Sequence, residues 1–294
     1  MGELLSESAP LFIGVCLVLG LLVGSFLNVV IHRVPVMLAR RWRREALELD
    51  GKLPPEEPRY DLVMPRSACP SCQAPITALQ NIPVLSYLWL RGRCAGCGTG
   101  ISLRYPLVEL LTGAASAIVA WQFGYGPAAA AALVLTWFLV ALTFIDLDTQ
   151  LLPDSLTLPL LWLGIFASLV MPGIGGAELP VDLRSSVIGA IAGYLSLWSV
   201  YQGFRLLTGK EGMGYGDFKL LAALGAWLGW QMLLPIILGA AGVGAILGIT
   251  LIVLRRQDRG VPMAFGPFLA AAGWLMLLFG HELVDRYLSL YTPR

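Results

Sequence analysis

Long stretches without charged side chains constrain the fold of this sequence more than any other feature. A helix needs ~20 apolar residues to cross a bilayer, and a soluble domain has roughly 25% charged residues, whereas here only 13% are charged. A membrane barrel would instead show short alternating segments. The sequence therefore predicts an all-α fold, a polytopic transmembrane helical bundle of about eight spans. These are expected near residues 11–31, 106–121, 127–145, 155–171, 185–207, 218–230, 232–254 and 262–280.

One polar region, residues 32–104, separates the first span from the rest and holds 11 of the 20 basic residues. If this region is cytoplasmic, 17 of the 20 basic residues lie inside, as the positive-inside rule requires. We therefore predict three domains: residues 1–31 as the first span, residues 32–104 as a cytoplasmic region, and residues 105–294 as the remaining bundle. The loops at 146–154 and 208–217 then also face the cytoplasm.

The polar region contains two C-x-x-C pairs, Cys69 with Cys72 and Cys94 with Cys97. Two such pairs at this spacing are typical of a tetrahedral zinc site made of thiolates. Disulfides are the alternative, but a reducing cytoplasm disfavours them. Because all four ligand positions are filled by the protein, we predict a structural zinc ion that stabilises the cytoplasmic region.

Aspartates stand at the ends of two apolar stretches, Asp146 after the third and Asp217 before the sixth. Ionisable groups at such positions are costly and indicate a functional site. If the two carboxyl groups meet, they share a proton, so that one activates a water molecule while the other polarises a peptide carbonyl. Helical geometry turns Asp148 away from Asp146, and Asp154, which follows a proline, is predicted to cap the fourth span.

The combination of motifs resembles the bacterial type 4 prepilin peptidases, bifunctional leader peptidases and N-methyltransferases of the GxGD membrane aspartyl protease class. The resemblance identifies Asp146 and Asp217 as the catalytic pair of a peptidase bundle in residues 105–294. It also implies cleavage of prepilin or pseudopilin leaders at the bacterial inner membrane, on its cytoplasmic side, and methylation of the new N-terminus by S-adenosylmethionine. The matching segments are residues 24–33, the cysteine pairs, residues 104–109, 146–154 and 209–217, and Phe265-Gly266-Pro267.

Glu109 lies four residues into the second predicted span, and we treat it as a candidate for methyl transfer. Its alternative role is an ion pair with Arg104 or Arg33. Residues 37–49 alternate arginines with apolar side chains, which favours membrane lipids over nucleic acid as the partner.

Two other functions remain alternatives at this point. A proton- or cation-coupled transporter would need carboxylates spread across the membrane depth, whereas here they gather at one side. A non-catalytic assembly subunit has no use for paired aspartates.

Overall fold

The computed structural model describes residues 2–171, 181–254 and 264–291, and helices dominate these ranges. Strand pairing there is limited to two isolated bridges, so the predicted all-α class is confirmed. The α-helices of the described ranges are α1 Gly2–Glu7, α2 Ala9–Leu49, α3 Leu85–Trp89, α4 Arg104–Phe123, α5 Pro127–Thr149, α6 Asp154–Val170, α7 Leu183–Thr208, α8 Tyr215–Leu228, α9 Leu233–Val253 and α10 Gly266–Tyr291.

Each predicted span overlaps a helix, and residues 262–263 of the last predicted span lie outside the described residues. Within the described ranges, five helical segments are long and apolar enough to cross a membrane: α2, α4, α5, α7 and the segment Trp230–Thr250. Helix α6 and the segment Gly266–Gly280 of α10 are shorter apolar helices, and α8 has 14 residues. The multi-pass membrane architecture is confirmed, and the count of eight crossings stays approximate.

Local sequence signals explain where several of these helices begin and end. Pro127 occupies the first turn of α5, where its missing N–H costs nothing. Asp182 caps α7 by accepting a hydrogen bond from the Ser185 N–H at 3.0 Å. Gly209 ends α7 with a φ of 69°, a left-handed conformation that glycine adopts without strain.

The chain forms two compact units, Met1–Trp121 and Gln122–Arg294. In the first unit, α2 and α4 pack closely through small residues of α2. A methyl group at Gly24 would lie 2.8 Å from Glu109 Cα, so only glycine allows this approach. The Asn28 side chain donates a hydrogen bond to the Tyr105 carbonyl at 3.1 Å, which fixes the register of the two helices.

Helix α2 continues beyond the predicted first span to Leu49 and so includes the basic segment. Arg33, which is buried, donates hydrogen bonds to the carbonyls of Asp61 (2.8 Å) and Pro65 (2.6 Å). It thereby holds the chain that leads to the first cysteine pair against α2. The backbone N–H groups of Met64 and Val63 lower the pKa of Asp61 to about 2, so its carboxylate shapes this turn at neutral pH.

Helix α8 is the centre of the second unit. All of its residues from Asp217 to Leu228 are buried except Lys219. Glycines allow α7 and α8 to touch backbone to backbone, at Gly189 and Gly225. The Trp227 indole N–H donates to the Leu160 carbonyl of α6 at 2.8 Å. The helix that carries Asp217 is therefore fixed from several sides.

Candidate active site and metal centre

Asp146 lies in the last turn of α5 and is only 4% exposed. Its Oδ2 accepts a hydrogen bond from the backbone N–H of Gly266, the first residue of α10, at 3.0 Å. A methyl group at Gly266 would lie 2.6 Å from the same oxygen. The start of α10 therefore holds the Asp146 carboxyl group, and a side chain at position 266 would displace it.

Asp217 is the third residue of α8 and is 8% exposed. Its N–H donates to the Gly214 carbonyl at 3.2 Å, which forms the first turn of the helix. Gly216 packs against the loop that follows α5, and a methyl group there would lie 2.7 Å from Leu152 Cβ. Gly216 thus lets the helix start directly against the Leu152 side chain.

The two aspartates converge within the second unit. The charge of Asp146 acts on the Asp217 carboxyl group. The Leu152 side chain lies against Gly216, which precedes Asp217, and its Cδ1 would lie 3.2 Å from a methyl group at Gly266, whose N–H binds Asp146. The two buried carboxyl groups therefore lie within electrostatic range of each other.

The other two aspartates of this region lie elsewhere. Asp148 is exposed at the end of α5, so it faces away from Asp146 as helical geometry predicted. The predicted capping role of Asp154 is wrong. Pro153 occupies the cap position of α6 without a side-chain hydrogen bond, and Asp154 follows as the first helical residue. Its carboxylate instead accepts from Lys219 Nζ at 2.6 Å, because an ammonium group is a stronger partner than a backbone N–H.

The four cysteines of the polar region form one cluster, in which all sulfur atoms lie within 4.8 Å of one another. The Sγ atoms of Cys69 and Cys97 are 3.8 Å apart, and those of Cys72 and Cys94 are 3.9 Å apart. A tetrahedron with metal–sulfur distances of about 2.3 Å has edges of about 3.8 Å. A disulfide would need about 2.05 Å, and all four thiols are free. The cluster fits a metal ion and excludes the disulfide alternative.

Both cysteine pairs adopt the same turn, 25 positions apart. In each, the fifth residue of the turn, Gln73 or Gly98, donates its N–H to the carbonyl of the first cysteine at 2.9 Å. Both of these residues have positive φ, 59° and 73°. The sequence signal is the repeated pattern C-x-x-C-x-x-x-I, which ends at Ile76 and Ile101.

Glu109 belongs to the first unit and is 9% exposed. Its Oε2 accepts a hydrogen bond from the Val84 N–H at 2.7 Å, and the Ser25 hydroxyl is a second partner of the carboxyl group. Arg33 is engaged with backbone carbonyls instead, so the ion pair considered from sequence is not formed with this residue.

Sequence reasoning missed an aromatic cluster beside Asp217. The Tyr201 ring of α7 packs against Tyr215 and Phe218, with centroids 5.4 and 5.6 Å away. Tyr215 lies two positions before Asp217 and Phe218 lies one position after it, so the cluster fixes the first turn of α8. Among the described residues the buried Tyr201 hydroxyl forms no hydrogen bond of good geometry, and the Tyr215 side chain is the polar group that faces it. A possible sequence signal is the spacing of Tyr194 and Tyr201, which places both on one face of α7.

Comparisons with known proteins agree with this arrangement. Residues 18–123 match the bacterial peptidase A24 N-terminal domain, and residues 133–249 match the type IV leader peptidase family. The four clustered cysteines and Glu109 lie in the first match, and both Asp146 and Asp217 lie in the second. These matches do not support the transporter considered from the sequence. No solved structure matches the chain.

Three relatives, each called a prepilin leader peptidase/N-methyltransferase, cover almost the whole chain. The Aeromonas salmonicida protein is 57% identical over 282 residues, which is 95% of this chain and 94% of that protein. The Pseudomonas aeruginosa protein is 53% identical over 284 residues, 96% of each chain. The Neisseria gonorrhoeae protein is 52% identical over 274 residues, 92% of each chain. By identity and by coverage, the chain belongs to the type IV leader peptidase family.

Proposed function

We propose that this chain is a membrane aspartyl endopeptidase that cleaves the leaders of prepilins or pseudopilins and then N-methylates the new N-terminal residue. The observation that carries the proposal is the convergence of the buried Asp146 and Asp217 carboxyl groups. It occurs in a chain that is 57% identical to a relative called a prepilin leader peptidase/N-methyltransferase.

For peptide cleavage, we assign Asp146 and Asp217 as the catalytic pair. Two close carboxyl groups hold one proton between them. The ionised group removes a proton from water, whose oxygen then bonds to the carbonyl carbon, while the protonated group donates to the carbonyl oxygen. The carbon–nitrogen bond breaks as the departing amine receives a proton from the pair. The products are the free leader carboxylate and a new N-terminus.

The surroundings of the pair give each carboxyl group a defined place. The Gly266 N–H occupies one oxygen of Asp146, which leaves the other oxygen for water or substrate. A methyl group at Gly214 would meet only Asp217 Oδ2, at 3.8 Å, so the backbone three positions before Asp217 leaves space beside that carboxyl group. This arrangement supports binding of a substrate strand beside the pair.

We place the pair on the cytoplasmic side of the bacterial inner membrane. The support is the distribution of charge, since 17 of 20 basic residues lie on one side under the topology of eight spans. Within this proposal, residues 1–31 are the first span, residues 32–104 the cytoplasmic region, and residues 105–294 the peptidase bundle.

We assign zinc as the metal of the four-cysteine cluster. Its sulfur–sulfur separations of 3.8 and 3.9 Å fit a tetrahedral thiolate site. With four protein ligands the ion has no open position, so it supplies cross-linking and no reactive group. Cys69, Cys72, Cys94 and Cys97 would hold the two turns of the polar region together.

For methylation, the methyl donor is S-adenosylmethionine as a second substrate. The deprotonated N-terminal amine attacks the methyl carbon, the carbon–sulfur bond breaks, and S-adenosylhomocysteine leaves. Orientation supplies most of the acceleration of such a transfer. Glu109 is our candidate to orient the amine or accept its proton, because it is a buried carboxylate outside the catalytic pair. Its bond to Val84 supports a structural role as well.

Incubation of the purified protein with a prepilin, with and without S-adenosylmethionine, tests the proposal directly. The masses of the products report both steps. We expect a shortened pilin without the methyl donor, and the same pilin heavier by one methylene, about 14 daltons, when the donor is present. An intact prepilin in both reactions would contradict the proposal.

A further inference from the structure

The polar region contains a segment, residues 79–89, whose large apolar side chains are not buried by the protein. Leu85, Leu88 and Trp89 lie on one face of α3, at positions i, i+3 and i+4. Leu88 is 65% exposed and Trp89 is 80% exposed. Leu79, in the preceding 3-10 turn, is exposed as well. A contiguous apolar face of this size on the protein surface needs an explanation.

The depth of this segment follows from its bond to α4. The Val84 N–H, just before α3, donates to Glu109 at 2.7 Å. Glu109 is five residues past Arg104, where α4 begins, which corresponds to about 7.5 Å along the helix. Leu107 and Leu110 of α4 are exposed and apolar at the same level. Val84 is therefore at the depth of the second turn of a membrane helix.

Contacts between residues 79–89 and α2 independently indicate the same depth in the membrane for this segment. The Ser25 hydroxyl faces Asn81 Oδ1 at 3.5 Å and is also a partner of Glu109. Ser25 lies seven residues before His32, the first polar residue after the apolar stretch, which is about 10 Å along the helix. The segment thus reaches below the surface level of both membrane helices of the first unit.

Charge indicates what covers the exposed face. Residues 62–108 contain no acidic side chain and four arginines. Arg66, Arg91 and Arg93 are exposed, and the last two directly follow α3. Apolar side chains followed by arginines match a leaflet with acyl chains inside and anionic headgroups at its surface.

We propose that residues 79–89 form a re-entrant membrane segment, whose face of Leu79, Leu85, Leu88 and Trp89 inserts into the cytoplasmic leaflet of an anionic bilayer. Irregular backbone is tolerated at such depth only where protein groups satisfy it, and Glu109 satisfies the Val84 N–H. The four-cysteine cluster then lies at the bilayer surface, because Cys94 follows Trp89 by five residues. This proposal is independent of the catalytic assignment.

Fluorine NMR of the full-length protein tests the insertion. The protein is labelled with 5-fluorotryptophan and placed in nanodiscs that contain phosphatidylglycerol. Among the nine tryptophans, the resonance that Trp89→Phe removes belongs to Trp89, and Trp42→Phe assigns a comparison residue on the basic end of α2. Trp42 is 49% exposed, so both side chains are accessible in the protein itself.

We expect a lipid with a nitroxide on its acyl chain to broaden the Trp89 resonance at least threefold more than the Trp42 resonance. A water-soluble gadolinium chelate should broaden the Trp89 resonance less than the Trp42 resonance. Broadening of Trp89 by the chelate alone would overturn the proposal. Protection from the chelate only after addition of prepilin would also overturn it, because the face would then bind protein. If the nitroxide broadened the Trp89 resonance as much in neutral phosphatidylcholine discs as in discs with phosphatidylglycerol, the choice of anionic lipid would be contradicted.

Discussion

Asp146 depends on a residue 120 positions away that has no side chain, Gly266. We predict that Gly266→Ala lowers kcat/KM for prepilin cleavage by up to about 100-fold, because the new methyl group would lie 2.6 Å from Asp146 Oδ2 and displace the carboxyl group. The measurement is the initial rate of leader release by the purified variant.

Gly239→Ala is the matched control for this substitution. A methyl group there would meet only Ala272 Cβ, at 3.6 Å, which is an ordinary contact. The control should therefore retain wild-type cleavage. Equal activity of both alanine variants would show that the Gly266 contact does not position Asp146.

The proposed role of Glu109 in methyl transfer can be tested by a substitution that removes its charge but keeps an acceptor for the Val84 N–H. We predict that Glu109→Gln yields pilin that is cleaved but poorly methylated, since the glutamine oxygen still holds the segment but cannot take a proton. Mass spectrometry of the mature N-terminus measures this. Asp217→Asn should still methylate a pre-cleaved pilin. Normal methylation by the Glu109 variant would remove this residue from the methyl-transfer step.

The Tyr201 hydroxyl is buried, and among residues 2–171, 181–254 and 264–291 it faces Tyr215 without forming a hydrogen bond of good geometry. We expect Tyr201→Phe to raise the free energy of unfolding by about 1 kcal/mol, because it removes an unsatisfied polar group and keeps the ring contacts. Thermal unfolding in detergent measures the change. A lower midpoint for the variant would mean that the hydroxyl has a partner in the folded protein.

Single residues were predictable from sequence only where local geometry decides. Asp146 and Asp148 differ by two positions on one helix, so the 100° step of the helix separates a buried side chain from an exposed one. Asp154 was misjudged because Lys219, its actual partner, is 65 positions away. The Gly266 contact was missed for the same reason, since no local pattern reports a hydrogen bond across the bundle.

At the scale of elements, the four-cysteine cluster joins two turns that have few other buried contacts. We predict one zinc ion per chain, and we expect Cys72→Ser to lower both zinc content and the thermal midpoint, because metal binding is part of the folding free energy of such a region. Elemental analysis of reduced protein and a thermal scan give the two values.

Cys16→Ser provides the control for the metal measurement. Cys16 is buried within α2 and is apart in sequence from the cluster. Its replacement by serine should therefore leave the zinc content unchanged. Freshly prepared wild-type protein without zinc would contradict the assignment. Equal losses of zinc in both serine variants would show that the effect is not specific to the cluster.

Helix positions were largely predictable because long apolar stretches have few alternatives in a bilayer. The cysteine spacing likewise predicted the cluster, because ligand geometry is local within each pair. Helix α3 was not anticipated. Its five residues are too short for a periodic signal, and its location depends on the hydrogen bond between Val84 and Glu109.

At the scale of the whole molecule, the family match and the helical bundle agree with one account, in which two aspartates from different helices form the peptidase site. Leu152 lies against Gly216, beside Asp217, and close to Gly266, which binds Asp146, so the loop after α5 packs at the site without supplying a reactive group. The sequence offers the two aspartates as candidates but does not indicate Leu152, because it is one of many leucines and its position arises only from packing.

The most direct test of this account is prepilin cleavage by Asp146→Asn and Asp217→Asn, each purified and assayed by gel shift beside Asp148→Asn. A single carboxyl group cannot supply both the base and the acid. We predict that each of the first two variants loses at least about 100-fold in cleavage rate while remaining inserted in the membrane. The exposed Asp148 variant should keep substantial activity. Full cleavage by either the Asp146 or the Asp217 variant would contradict the account.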